Sequence, residues 1–176
     1  MRPLIAALAL LFAASGLRAE SLQALVDATG DGGEILLEAD TVYDGPVVID
    51  RPVVIDGQGS AVIDGGLEGT VVIIASDGVT LKNLTIRNSG RLHNKLDAGL
   101  KVQGNYNVVR DVRIENSLFG IDISEASNNV FRRNYISSKA MPLELRGDSI
   151  RIWYSNDNLF EGNHIEHSRD IVIWSS

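Results

Sequence analysis

The sequence predicts an all-β fold, a right-handed single-stranded parallel β-helix with three short strands per coil and a short N-terminal capping helix. Three observations predict it. Short β-branched runs recur along the chain, each set off from the next by Gly, Asp or Pro. Only one helical segment is legible after the leader. From Val79 onward two segments repeat at a spacing of about 22 residues in the compact coils, which is a solenoid period.

The elements follow in chain order. Met1 to Ala19 reads as a secretory signal: Arg2, an apolar run from Leu4 to Ala14, then Ser15-Gly16-Leu17-Arg18-Ala19. The apolar run is shorter than the roughly 20 residues a membrane span needs. Cleavage is placed after Ala19, with Gly16 as the alternative, which leaves residues 20–176 as one β-helix domain and an export destination, periplasmic or secreted. Ser21 to Ala28 carries a Ser cap and apolar Leu22, Leu25 and Val26 and stops at Gly30, a short amphipathic helix that would cover the first coil. Strand runs are then expected at Glu34 to Leu37, Val47 to Ile49, Val53 to Ile55, Ala61 to Ile63 and Val71 to Ile74.

The repeat itself has two parts. Its first segment recurs as Leu81-x-x-Leu84-x-Ile86, Val109-x-x-Val112-x-Ile114, Phe131-x-x-Asn134-x-Ile136 and Phe160-x-x-Asn163-x-Ile165. Its second recurs as Leu100-Lys101-Val102, Ile121-Asp122-Ile123, Ile150-Arg151-Ile152 and Ile171-Val172-Ile173. In the compact coils the second segment follows so soon that no convex helix fits, which disfavours a leucine-rich repeat. Right-handedness is the expectation for parallel crossovers. Alternation sends Leu84, Val112, Ile86, Ile114, Ile136 and Ile165 inward, with Asn134 and Asn163 as a stacked asparagine pair in the same interior. Asn107, Asn129 and Asn158 share one turn position, where asparagine's tolerance of the left-handed backbone is the expected reason. The chain stops directly after a strand at Trp174-Ser175-Ser176, which suggests a piece of a longer protein.

Composition narrows the function classes. The chain has 176 residues, no cysteine and a net charge of −7, so thiolate metal sites and cysteine nucleophiles are excluded and nucleic acid is an improbable partner. The run Gly45-Pro46-Val47-Val48-Ile49-Asp50-Arg51-Pro52-Val53-Val54-Ile55-Asp56-Gly57, followed by Ala61-Val62-Ile63-Asp64-Gly65, resembles the opening coils of carbohydrate-binding and sugar-hydrolase β-helices. Residues Leu145 to Asn158, Asn163-x-Ile165 and Ser168 to Ser175 are similar to the NosD-type periplasmic β-helix proteins, accessory factors in maturing the copper enzyme nitrous oxide reductase. That resemblance implies a periplasmic, non-catalytic role, with a membrane ABC transporter and a copper client as partners. It carries over no ligand motif position by position.

Candidate sites lie on two loops and one strand face. Arg87 to Ala98 and Ser137 to Asp148 are longer than their counterparts, and their bases should lie about 10 Å apart at one corner of the prism. The first holds Arg91, His93, Lys95 and Asp97; the second holds Lys139, Met141, Glu144, Arg146 and Asp148. His93 and Met141 together would suit Cu(I), since imidazole and thioether are soft donors; the alternative is that Met141 plugs a small apolar gap. His164 and His167 have a metal-like spacing that loses its meaning off a helix. On the second strand's outward face Lys101, Asp122, Arg151 and Val172 form one column, and Gln103, Ser124, Trp153 and Trp174 the next. Trp153 and Trp174, with Arg151 and Asp148 beside them, make a candidate ligand or partner surface. Asp122, with Arg151 and Lys101, is the one candidate catalytic set, for a polysaccharide lyase, C5-epimerase or hydrolase. It is thin, because such chemistry needs more carboxylates than one. Binding without turnover is the preferred reading, and a non-catalytic glycan-binding solenoid is a further alternative.

Overall fold

The computed structural model describes residues 21–176; the expected signal at 1–19 lies outside them. Ser21 opens the first element. Its Oγ accepts the Ala24 N–H at 3.2 Å and caps α1 (Leu22–Ala28), which buries Leu22 and Val26. Gln23, on the same helix, receives the Val48 N–H on Oε1 and donates from Nε2 to the Val48 carbonyl. A side-chain amide thus stands in for a neighbouring strand and closes one edge of the solenoid.

Sixteen strands follow, all paired in parallel where they pair. The first face stacks β1 (Glu34–Leu36), β4 (Val54–Asp56), β7 (Thr80–Arg87), β9 (Val108–Ser117), β11 (Val130–Arg132) and β14 (Leu159–Glu161). The second stacks β2 (Val42–Asp44), β5 (Val62–Asp64), the C-terminal halves of β7 and β9, β12 (Tyr135–Ser138) and β15 (His164–Glu166). The third stacks β3 (Val47–Ile49), β6 (Val72–Ile74), β8 (Ala98–Val102), β10 (Phe119–Ser124), β13 (Ile150–Trp153) and β16 (Ile171–Trp174). Three strands per coil is the predicted architecture. The expected strands recur within a residue of their predicted bounds, and β2 is an addition.

Register puts like on like. Ile35, Ile55, Leu81, Val109, Phe131 and Phe160 form one inward column, and Tyr43, Ile63, Ile86, Ile114, Ile136 and Ile165 another. Phe131 and Phe160 stack at 4.7 Å and 11°. Columns of β-branched, aliphatic and aromatic side chains fit a pleated surface buried on its inner side, and these two, with the inward residues of the third face, form the core.

The corners are where the chain bends without breaking its ladders. Asn83, Asp111 and Arg133 take left-handed φ values of 55°, 55° and 52° at equivalent positions between the first and second faces. At the turn before the first face the outcome differs from expectation. The left-handed residues there are Tyr106, Asn128 and Asp157, each one position before Asn107, Asn129 and Asn158. Those three asparagines turn inward instead. Asn107 Oδ1 accepts the Val79 N–H, Asn129 Oδ1 the Asn107 N–H, and Asn158 Oδ1 the Asn129 N–H. The physical reason is that a buried corner leaves backbone donors that no strand satisfies, and a side-chain carbonyl one coil on can reach them. Asn134 and Asn163 do form the expected interior ladder, with Asn134 Nδ2 donating to Asn163 Oδ1 at 3.0 Å.

Candidate functional site

On the outward side of the third face the predicted columns assemble. Lys101, Asp122, Arg151 and Val172 are successive register partners, and so are Ser124, Trp153 and Trp174. Arg151 Nη1 donates to Asp122 Oδ1 at 2.8 Å, and its guanidinium lies 5.0 Å from the Trp153 ring centroid. Trp153 and Trp174 meet at 5.1 Å with their planes 47° apart. Tyr154 adds its ring to Trp153 at 5.2 Å, nearly perpendicular. Tyr154 was not foreseen: strand alternation would send it inward, but its φ of 46° ends the strand and swings the ring out. A Trp–Trp–Tyr cluster backed by an arginine has the composition of an interface hot spot.

Two neighbouring acids have other work. Asp148 is buried and accepts from Arg169 Nη2 at 2.7 Å, which fastens one long loop to the next coil rather than facing the tryptophans. Asp122 has no exposed surface, and its Oδ2 is buried without a partner. A carboxylate so enclosed, held by Arg151, has no open path to a polymeric substrate.

The two long loops do meet. Each has a short 3-10 turn at its tip, His93–Lys95 in the first and Leu143–Leu145 in the second. His93 Nε2 donates to the Leu145 carbonyl at 3.0 Å, and its ring stands edge-on to Phe119 at 5.6 Å. Phe119 belongs to the coil between the loops, and with Ala98 and Leu118 it forms a second small core onto which Leu96 and Met141 pack. His93 and Met141 therefore come to one place, as hinge and plug. One imidazole nitrogen is committed to a carbonyl, and among the described residues no group of three or more His, Cys, Asp or Glu gathers for a metal. With one imidazole nitrogen on a carbonyl and Met141 packed on the small core, both residues serve the contact between the loops.

Beneath the loops lie charged groups with unusual surroundings. Asp97 is buried and accepts the Leu92 N–H on Oδ2, and a Cβ on residue 90 would meet that oxygen at 2.1 Å, so only Gly90 allows the close approach. Lys139 is also buried and donates to the Asn116 carbonyl at 2.9 Å. Burial, with the Arg91 charge nearby, pushes its ammonium down to about 8, and Asp97 partly opposes the shift.

On the second face the sequence reading missed another outward column. The Arg113 guanidinium sits 4.0 Å over the Tyr135 ring, and Tyr135 stacks on His164 at 5.5 Å. The signal was present: each residue directly precedes an inward isoleucine. Glu166 then lies between His164 and His167, at 3.5 and 3.7 Å, and the Tyr135 hydroxyl donates to it, which holds its carboxyl below the usual range. These side chains form one surface cluster around the Glu166 carboxylate.

With this geometry in view, the chain can be placed among known proteins. It is 32% identical over 172 residues to the "Probable ABC transporter binding protein NosD" of Pseudomonas aeruginosa, an alignment covering 96% of this chain and 39% of that protein. The chain thus spans about two-fifths of its relative's length. No solved structure matches it. A family model described as "Right handed beta helix region" matches residues 69–176, the stretch that holds β7 to β16 and both long loops, and the chain belongs to that β-helix family.

Proposed function

We propose that this chain is an exported NosD-like accessory protein that acts by binding. Its partners are a membrane ABC transporter and a periplasmic copper enzyme of the nitrous oxide reductase type, whose maturation or copper supply it assists. The observation that carries this reading is the NosD likeness over 172 residues, 96% of the chain. Supporting it, the face offers Trp153, Trp174, Tyr154 and Arg151 together, residue types that anchor protein partners. The enclosure of Asp122 favours binding over turnover. Copper belongs to the client in this reading, because His93 and Met141 serve the loop contact.

The test is co-purification. The tagged protein, isolated from gently solubilised membranes of a host carrying its transporter, is expected to bring the transporter with it. A Trp153→Ala, Trp174→Ala variant of unchanged stability should lose most of that recovery. Bond cleavage in a polysaccharide by the purified protein would replace this reading with the enzymatic one.

A further inference from the structure

Cations in this molecule are distributed unevenly. Among the described residues nine of the fourteen Lys and Arg have a carboxylate within ion-pair distance: examples are Lys82 with Asp56, Arg87 with Asp64 and Arg133 with Asp111. The exceptions are Arg91, Lys95, Lys101, Lys139 and Arg146, for which no ion pair is found. All five lie on the two long loops or, for Lys101, on the strand that leaves the first loop. Cations without a carboxylate partner thus gather at one corner, where Arg91 and Lys95 are exposed and Lys139 is buried, with the exposed Glu144 the one acid on the second tip.

The same corner carries exposed leucines. Leu143 and Leu145, on the second tip, are 55% and 53% exposed, and Leu92 and Leu67 are 49% exposed. Leu67, Arg91, Leu92 and Lys95 line a cleft of about 460 Å³, whose walls also include Glu68 and the buried Asp97. The His93 bond to Leu145 and the Phe119–Met141 plug hold the two tips together, so the leucines and cations are presented as one preorganised pad.

We propose that this pad docks the protein on an anionic lipid surface. Leucines at protruding tips can enter the acyl boundary while Arg91 and Lys95 meet phosphate headgroups, the combination that peripheral membrane segments use. The composition points away from a protein partner, since leucine is under-represented among interface hot spots and the aromatic–arginine cluster lies elsewhere. The chain as a whole carries a net charge of −7, so its surface outside the pad is repelled by the same lipid, which fixes one orientation. No helix among the described residues is long and apolar enough to cross a membrane, and the proposed contact is peripheral. The inference stands apart from the transporter reading and needs no transporter in its test.

The experiment is co-sedimentation of the purified protein with phosphatidylcholine vesicles, with and without roughly one-third phosphatidylglycerol, at low salt. Partition is expected only with the anionic lipid and should fall at high salt. Arg91→Glu with Lys95→Glu should lower it about tenfold or more. Leu143→Ser with Leu145→Ser should lower it by a similar factor, about tenfold, at unchanged charge. Val42→Ser, a surface change on β2, should leave it unchanged, and equal urea midpoints will show that all variants are folded. Failure to bind anionic vesicles, or binding indifferent to both double variants, would overturn the proposal.

Discussion

Asp122 and Arg151 face each other on adjacent coils, 2.8 Å apart, as an ion pair whose acid is fully buried and whose base keeps 19% of its side-chain surface. The pair is part of the scaffold under the tryptophan face: Arg151 spans the distance from the carboxylate to the Trp153 ring. Removing one member leaves the other charge buried alone. Arg151→Ala is therefore expected to cost about 3 kcal/mol or more in urea unfolding. Asp122→Leu with Arg151→Met should recover most of it, because replacing both charges by apolar groups leaves no orphan. A double variant as unstable as the single would mean that packing, not the charge, sets the loss.

Asn134 occupies a column filled by Leu84 and Val112 in the two preceding coils. Its Oδ1 accepts the Val112 N–H at 3.0 Å, and its Nδ2 donates to Val109 O and Asn163 Oδ1. Asn134→Leu keeps an apolar side chain of about the right volume but leaves the buried Val112 donor unpaired, which should cost about 1–3 kcal/mol. Equilibrium denaturation of this variant beside Asn163→Leu measures how much of the ladder each rung carries. The outer rung, less buried, should lose less.

Lys139 makes stability depend on alkaline pH. Its folded value near 8 lies below its ordinary value of 10.5, so between those limits the unfolded chain binds the extra proton. Stability from this group is thus lowest below pH 8 and rises as pH climbs from about 8 towards 10.5. Urea midpoints taken across that window should rise in the native protein relative to Lys139→Met, in which this contribution is flat.

Asp111 supplies the opposite arm. Hydrogen bonding from Arg133, outweighing partial burial and aided by Arg110, holds its carboxyl below 3.8. Its contribution is complete above that value and lost as pH falls through the folded one. Asp111→Asn should therefore flatten the acid limb of the stability profile and leave the alkaline limb unchanged.

The architecture was legible because a stacked fold repeats its instructions. Alternation around Ile86, Ile114, Ile136 and Ile165 decides which residues face inward, and identical coils leave register little choice. Trp153 and Trp174 were legible for the same reason, one step out of phase. The role of Asn107, Asn129 and Asn158 was not. A repeated asparagine at a turn fits either a left-handed corner or a buried acceptor, and the choice depends on which backbone donors the next coil leaves open. The His93–Leu145 contact was hidden more deeply. It joins two loop tips from coils two steps apart, and no periodicity links the residues. The uneven pairing of cations is likewise a property of the assembled surface: Arg91 and Arg87 look alike in sequence, and only the nearness of Asp64 to Arg87 separates them.

The central claim is binding through the tryptophan face, and the direct measurement is the affinity of the purified protein for the detergent-solubilised ABC transporter proposed as its partner, with and without the Trp153→Ala, Trp174→Ala pair. The account predicts saturable binding, weakened in the variant by about 2 kcal/mol or more, roughly thirtyfold, with the fold intact. Equal affinity in the two proteins would contradict it, as would an absence of binding together with turnover of a polysaccharide.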